Sequence, residues 1–151
     1  MIADIVVVGG VRRSAMISLF DRDDPEMLAC KAGDFERLNS QRWNANNSSV
    51  WPDLDGVSQQ AFTEQFMAMI ESGRGEPGIF SRATATVTMP DRRDKDHVFG
   101  CNPCSEIWLR SAGFCNLSAA IVRADDTYDT LAEKVSLATI IGSVQAMATN
   151  F

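Results

Sequence analysis

Two stretches carry residue types that can do chemistry. One is Cys101-Asn102-Pro103-Cys104-Ser105-Glu106-Ile107; the other is Phe114-Cys115-Asn116-Leu117, whose cysteine follows Cys104 by eleven residues. Pro103 lacks a backbone N–H and disfavours helical geometry at Asn102, so the first stretch is expected to be an extended loop. Alternate side chains of an extended chain share a face. Asn102, Cys104 and Glu106 would then point one way, and Ser105 and Ile107 the other. An amide can orient a hydroxyl, a carboxylate can take its proton, and a thiol is a nucleophile or a redox centre. Cys115 opens the next apolar run and could return a second thiol beside Cys104. The chemistry on offer is that of a redox site.

The same cysteines admit two other readings. His97-x3-Cys101-x2-Cys104-x10-Cys115 supplies N and S ligands at spacings not far from those of structural zinc modules. Pro103 and the apolar run after Cys115 are unlike a zinc knuckle, however, and that reading leaves Asn102 and Glu106 without a purpose. A thioredoxin-like Cys-x-x-Cys centre normally sits at a helix N-terminus, and no long helical pattern follows Cys104.

The elements that must position these residues can be read in chain order. Ile2 to Val8 is apolar and β-branched, a buried strand of the parallel kind. Gly9-Gly10 breaks it, a loop follows through Val11-Arg12-Arg13-Ser14, and Ala15 to Phe20 reads as a second strand. Asp24-Pro25-Glu26 is a helix start, with a capping acid and then Pro at the first helical position. Gly33 can close that short helix, and Cys30 within it reads as a packed small hydrophobe. Arg42 to Val50 is polar and Asn-rich, and on propensity it is a loop. Ser58 can cap a helix bearing a core stripe of Phe62, Phe66, Met67, Met69 and Ile70, ended by Gly73. Gly78-Ile79-Phe80 starts a short strand, and Asp91 to Asp96 alternates charge as a solvated loop does. Phe114 to Val122 reads as a further strand. Asp125 or Asp126 then caps a helix carrying Leu131, Val135, Leu137, Ile140, Ile141 and Val144, whose pattern runs on to Phe151 with no stop signal. At about 25 residues such a helix would be roughly 38 Å long.

Composition sets outer limits. The 151 residues, 45% of them hydrophobic and 23% charged, suit one globular domain of ordinary make-up. A formal charge of −6 argues against a nucleic-acid partner, which needs clustered Lys and Arg. No apolar run reaches the length of a membrane span, and the N-terminus lacks a signal peptide's basic start. Four cysteines without such a signal favour a reduced, cytoplasmic setting with free or catalytic thiols. The sequons at Asn46, Asn47 and Asn116 are then chance matches.

Asn102-Pro103-Cys104-Ser105-Glu106-Ile107, followed by Phe114-Cys115-Asn116-Leu117-Ser118, closely resembles the active-site loop and following strand of the adenosylcobalamin-dependent (class II) ribonucleotide reductases. Gly9-Gly10-Val11-Arg12-Arg13-Ser14-Ala15, Asn46-Asn47-Ser48 and Gly78-Ile79-Phe80 are similar to further landmarks of that family, in the same order. The resemblance implies an α/β fold: residues 1–151 as a fragment, truncated at both ends, of a ten-stranded α/β barrel with the catalytic cysteine on a finger loop inside it. It implies thiyl-radical conversion of ribonucleotides to deoxyribonucleotides for DNA synthesis. In that family the cysteine matching Cys104 becomes the radical that takes the 3′-hydrogen, Glu106 matches the base on the 3′-hydroxyl, and Asn102 matches the amide that orients the ribose hydroxyls. Cys115 matches one of two thiols that reduce C2′ and end as a disulfide, its partner lying in an upstream strand outside this chain. Gly10, Val11, Arg12, Arg13 and Ser14 look like the specificity loop that relays effector identity to the substrate site.

The partners implied are a ribonucleotide substrate, a dNTP effector, adenosylcobalamin held mainly by other parts of the enzyme, a thioredoxin-type or dithiol reductant, and the remaining parts of the reductase chain. By itself the fragment is expected to be inactive. The sequence departs from the family pattern at Cys101, where a non-cysteine is common, and at Ser81, where Asn is usual.

Overall fold

The computed structural model describes Asp4, residues 15–53 and residues 58–148. The expected first strand, apart from Asp4, and the loop Gly10, Val11, Arg12, Arg13, Ser14 lie outside the described residues. The chain forms two units, Met1–Gly113 and Phe114–Phe151.

The first unit is mixed α/β and is built on a parallel sheet of β1 (Met16–Asp21), β2 (Ala45–Trp51) and β3 (Gly78–Ser81), in that spatial order. Parallel neighbours need a crossover between them. The first contains α1 (Pro25–Leu28), α2 (Phe35–Leu38) and a 3-10 helix (Ser40–Asn44); the second contains α3 (Gln59–Glu71). The local signals act as their chemistry dictates. Asp24 caps α1 by accepting from the Glu26 and Met27 amides, both at 3.0 Å, and Ser58 caps α3 by accepting from the Ala61 amide. Gly73, at φ +66°, takes the left-handed turn that ends α3.

β2 corrects the sequence reading: Arg42 to Val50 is not a loop but a 3-10 turn running into the central strand. Its buried Ser49 and Trp51 find polar partners across the fold. Ser49, fully buried, donates to Gln65 Oε1 at 2.7 Å, and the Trp51 indole N–H donates to both groups. Gln65 in turn donates to the Gly78 carbonyl of β3 at 3.1 Å. One amide thus binds helix, central strand and edge strand together. Pairing on both edges and a satisfied network outweigh the weak β-propensity of Asn and Ser.

The apolar stripe of α3 is a second correction, since Phe62, Phe66, Met67 and Ile70 are 45–55% exposed and the buried residue of the helix is Gln65. Phe62 meets the sheet edge-on at Trp51 and stacks on Phe66. On the other side of the crossover Arg74 lies over both Phe35 and Trp43 and pairs with Glu36.

A buried clamp on β2 is ionic. Lys31, only 6% exposed, pairs with Glu76 and also donates to the Ala45 carbonyl, while Glu76 accepts from the Asn47 amide at 3.2 Å. Beyond β3, α4 (Arg82–Thr88) leads to a hairpin of β4 (Gly100–Cys101) and β5 (Trp108–Leu109), paired antiparallel. Ala85, Met89 and Phe99 form a small core under this hairpin with Trp108 packed on it, and Trp108 meets Phe80 of β3 at 5.5 Å.

In the second unit, Phe114 to Val122 is not a strand, which is a third correction. No sheet partner exists for it among the described residues; it is tethered to α5 (Tyr128–Ala146) instead. Asn116 donates to the Gly142 carbonyl and Ser118 to the Ala138 carbonyl, while Lys134 donates to the Ile121 carbonyl, so its contacts recur every fourth helical residue. Gly142 permits this approach, because a Cβ there would stand 2.9 Å from Ser118 Oγ. Thr127, not Asp125 or Asp126, caps α5, through a reciprocal capping box with Thr130. Asp126 instead holds Lys134, and the hydrogen bonds from Lys134 and from the Arg123 amide keep its carboxyl below the usual range. The helix spans 19 residues and stops at Ala146, short of the expected run to Phe151. Its Leu137, Ile140, Ile141 and Val144 are more than half exposed.

Breaking the Lys31–Glu76 pair should be costly, since Lys31→Met strands a largely buried carboxylate. We expect a loss of about 3–5 kcal/mol in unfolding free energy, read from urea denaturation of the chain. Adding Glu76→Leu to that variant should recover much of the loss, because an apolar pair carries no unpaired charge. A Lys31→Met chain as stable as the parent would remove the clamp from this account.

Candidate functional site

The hairpin β4–β5 carries the chemical residues at its tip, between Cys101 and Trp108. The tip is a turn rather than an extended loop. Pro103 takes the second position of a four-residue turn closed by the Ser105 amide donating to the Asn102 carbonyl at 2.9 Å. Ser105 then sits at φ +64°, in the left-handed region. The expected alternation of Asn102, Cys104 and Glu106 along one face is therefore replaced. Asn102 is buried and its side-chain oxygen accepts from the Ile107 amide at 3.1 Å, whereas Cys104, Ser105 and Glu106 are exposed. The proline explains the outcome, since its fixed φ favours the turn position and the Asn102 carbonyl and side chain satisfy the amides that follow.

Two bonds to Asn102 thus bracket Cys104, one through Ser105 and one through Ile107. A third comes from across the sheet: Asn46 of β2 donates its side-chain N–H to the Pro103 carbonyl at 3.0 Å. Alternate residues of β2 divide the work. Ser49 and Trp51 face Gln65 of α3, and Asn46, on the other face, reaches the turn. Cys101 approaches Ser105 Oγ at 3.5 Å. Among the described residues nothing holds the Cys104 thiol by a hydrogen bond. It is a thiol presented by a fixed backbone, with the Glu106 carboxylate exposed two residues on.

Cys115 is half-buried in the second unit. The loop Gly10, Val11, Arg12, Arg13, Ser14 lies outside the described residues. The zinc reading finds no support: among the described residues no group of three or more His, Cys, Asp or Glu is placed to hold a metal ion. His97 has its Nε2 at 3.2 Å from both Asp94 and the Arg110 guanidinium, a cation where a metal would need none. Cys30 is held by Asn47, whose amide donates to its sulfur at 3.2 Å, and burial pushes its thiol pKa up against the opposing pull of Arg42 and Lys31. No helix among the described residues is long and apolar enough to cross a membrane.

Sequence reasoning missed Asn46, Lys31 and Glu76 as contributors to the site. Asn46 stood inside a recognised motif, Asn46-Asn47-Ser48, but its partner is 57 residues away and no local pattern points to it.

Comparison with known proteins places this geometry in context. Over 123 residues the chain is 35% identical to the adenosylcobalamin-dependent ribonucleoside-triphosphate reductase of Lacticaseibacillus paracasei, a match covering 78% of this chain and 15% of that one. The reductases of the same name from Lactobacillus acidophilus and Lactobacillus leichmannii are 33% and 34% identical, again over 78% of this chain and 16% of theirs. The chain thus spans about one-sixth of the length of the curated relatives it matches. No protein-family profile matches it, and no solved structure does.

The thiols should react in an order set by exposure and acidity. At mildly alkaline pH iodoacetamide should label Cys104 first and Cys30 last, because a raised pKa leaves less thiolate. Cys101 and Cys115, both half-buried, should fall between them. Peptide mapping by mass spectrometry reads the order, and equal rates at Cys30 and Cys104 in the folded chain would contradict it.

Proposed function

We propose, on the premise that this chain is homologous to a segment of the adenosylcobalamin-dependent ribonucleoside-triphosphate reductases, that it supplies the central catalytic segment of a ribonucleotide reductase. The observation that carries the reading is the exposed Cys104 thiol on a turn closed by two hydrogen bonds to Asn102, with the exposed Glu106 two residues on. Within the whole enzyme this segment is part of a ten-stranded α/β barrel, and the hairpin tip is the finger loop inside it.

Adenosylcobalamin, when bound, supplies the one-electron oxidising equivalent that starts the reaction. An exposed thiol with no hydrogen-bond partner among the described residues suits a group that must give up a hydrogen atom. The Cys104 sulfur, so oxidised, takes the hydrogen from C3′ of the ribose and returns it at the end. Glu106 accepts the 3′-hydroxyl proton as the C2′–O bond breaks. The 2′-hydroxyl leaves as water on taking a proton from one of the two reducing thiols, and Glu106 returns its proton to the 3′-oxygen at the end. Two thiols, Cys115 and one from another part of the enzyme, supply two electrons and two hydrogens and close as a disulfide. A thioredoxin-type or dithiol reductant reopens it. Asn102 fixes the turn through its oxygen, which leaves its N–H groups for the ribose hydroxyls. The loop Gly10, Val11, Arg12, Arg13, Ser14 relays the dNTP effector to this site. The 151-residue chain alone makes no deoxynucleotide, because the second reducing thiol lies elsewhere in the enzyme.

The test uses a reductase rebuilt around this segment and follows tritium release from 3′-labelled ribonucleotide beside product yield. Cys104→Ser should abolish both. Cys115→Ser should leave 3′-hydrogen exchange intact while normal product fails, since abstraction and reduction are separate steps. Glu106→Gln keeps the shape and removes the base, which should slow turnover about 10²–10⁴-fold. Equal loss of both signals in the two cysteine variants would sink the division of labour and the radical assignment with it.

A further inference from the structure

Cys104 must present its sulfur within a narrow range of positions if it is to exchange one hydrogen atom with a sugar, so what fixes its backbone matters. We infer that Asn46 is a positioning residue for Cys104, acting through the Pro103 carbonyl. The inference rests on the reductase reading for its functional meaning, but its geometric content stands apart from it.

The Pro103 carbonyl and the Cys104 nitrogen belong to one rigid peptide plane, which ends at the Cys104 Cα. A hydrogen bond to that carbonyl therefore fixes the orientation from which the Cys104 side chain departs. Asn46 makes that bond at 3.0 Å. The two bonds to Asn102 hold the turn from within the hairpin, through the Ser105 and Ile107 amides. Asn46 alone, among the described residues, ties the turn itself to the sheet by a hydrogen bond.

Asn46 is itself held with unusual care. The peptide group before it is gripped at the Ala45 carbonyl by Lys31, and the one after it at the Asn47 amide by Glu76. Lys31 and Glu76 pair with each other, so one ion pair clamps both planes that flank Asn46. Ladder pairing of β2 with β1 continues on the strand's other side, with Asn46 opposite Ile17. An exposed asparagine whose flanking peptides are clamped, and whose amide reaches a carbonyl next to the reactive cysteine, is a fixed support for the turn.

Asn46→Asp removes the donor with almost no change of shape, and Asn46→Ala removes the side chain. Because Asn46 is exposed, neither should unfold the sheet, and slow amide exchange at Val50 and Trp51 reports that it is intact. Losing one hydrogen bond should speed hydrogen exchange at the Ser105 and Ile107 amides about three- to tenfold in both variants. In the rebuilt reductase the same variants should lower the 3′-tritium release rate by a similar factor at unchanged KM for the nucleotide. Unchanged exchange at Ser105 and Ile107 in both variants overturns the inference, and so does a rise in KM alone. Faster exchange in a rebuilt enzyme whose parent form never releases 3′-tritium would keep Asn46 as the support of the turn and reject the reductase reading instead.

Discussion

The ion pair between Lys31 and Glu76 is the interaction on which the site depends. Neither charge is free to solvate fully, with Lys31 at 6% exposure and Glu76 at 20%. Such a pair adds little net stability over an apolar substitute, and its value lies in the geometry it enforces. Here it joins the segment between α1 and α2 of the first crossover to the loop before β3, and its remaining hydrogen bonds go to β2. The start of the central strand is fixed in place by groups from both neighbouring connections.

From that fixed strand the two faces do different things. One face is closed by a polar network in which Gln65 serves Ser49, Trp51 and Gly78 together. The other receives the hairpin, through Asn46 to Pro103 and through Phe80 to Trp108. Polar residues in a central strand are costly unless every group is paired. The arrangement meets that condition for Ser49 and Trp51 and converts it into precision at the hairpin tip. Phe62, Phe66, Met67 and Ile70 of α3 and Leu137, Ile140, Ile141 and Val144 of α5 remain largely exposed.

Local chemistry was legible in the sequence wherever a single residue settles the matter. Asp24 before Pro25, Ser58 before α3 and Gly73 after it all act as their types predict. The candidate residues are visible by type without coordinates, as a thiol and a carboxylate two positions apart just after a proline. Their conformation is not. The turn at Asn102 needs Ser105 at positive φ, which a serine gives no warning of. From sequence β2 reads as a loop, because its strand character comes from Lys31, Gln65 and Glu76, each far away along the chain. The Phe114 to Val122 run failed in the opposite way: it has the composition of a strand, but a ladder needs a neighbour, and the helix carbonyls of α5 take its polar side chains instead.

The account turns on whether the Cys104 turn delivers its sulfur to a ribose. The most direct measurement is a crystal structure of a reductase rebuilt around this segment, with a ribonucleotide bound. The account predicts the Cys104 sulfur about 3–3.5 Å from C3′, as near-attack geometry requires, with Glu106 hydrogen-bonded to the 3′-hydroxyl and the Asn46–Pro103 bond intact. A ribose seated away from the hairpin tip, or a Cys104 side chain turned from C3′ with Asn46 still bound to Pro103, would contradict it.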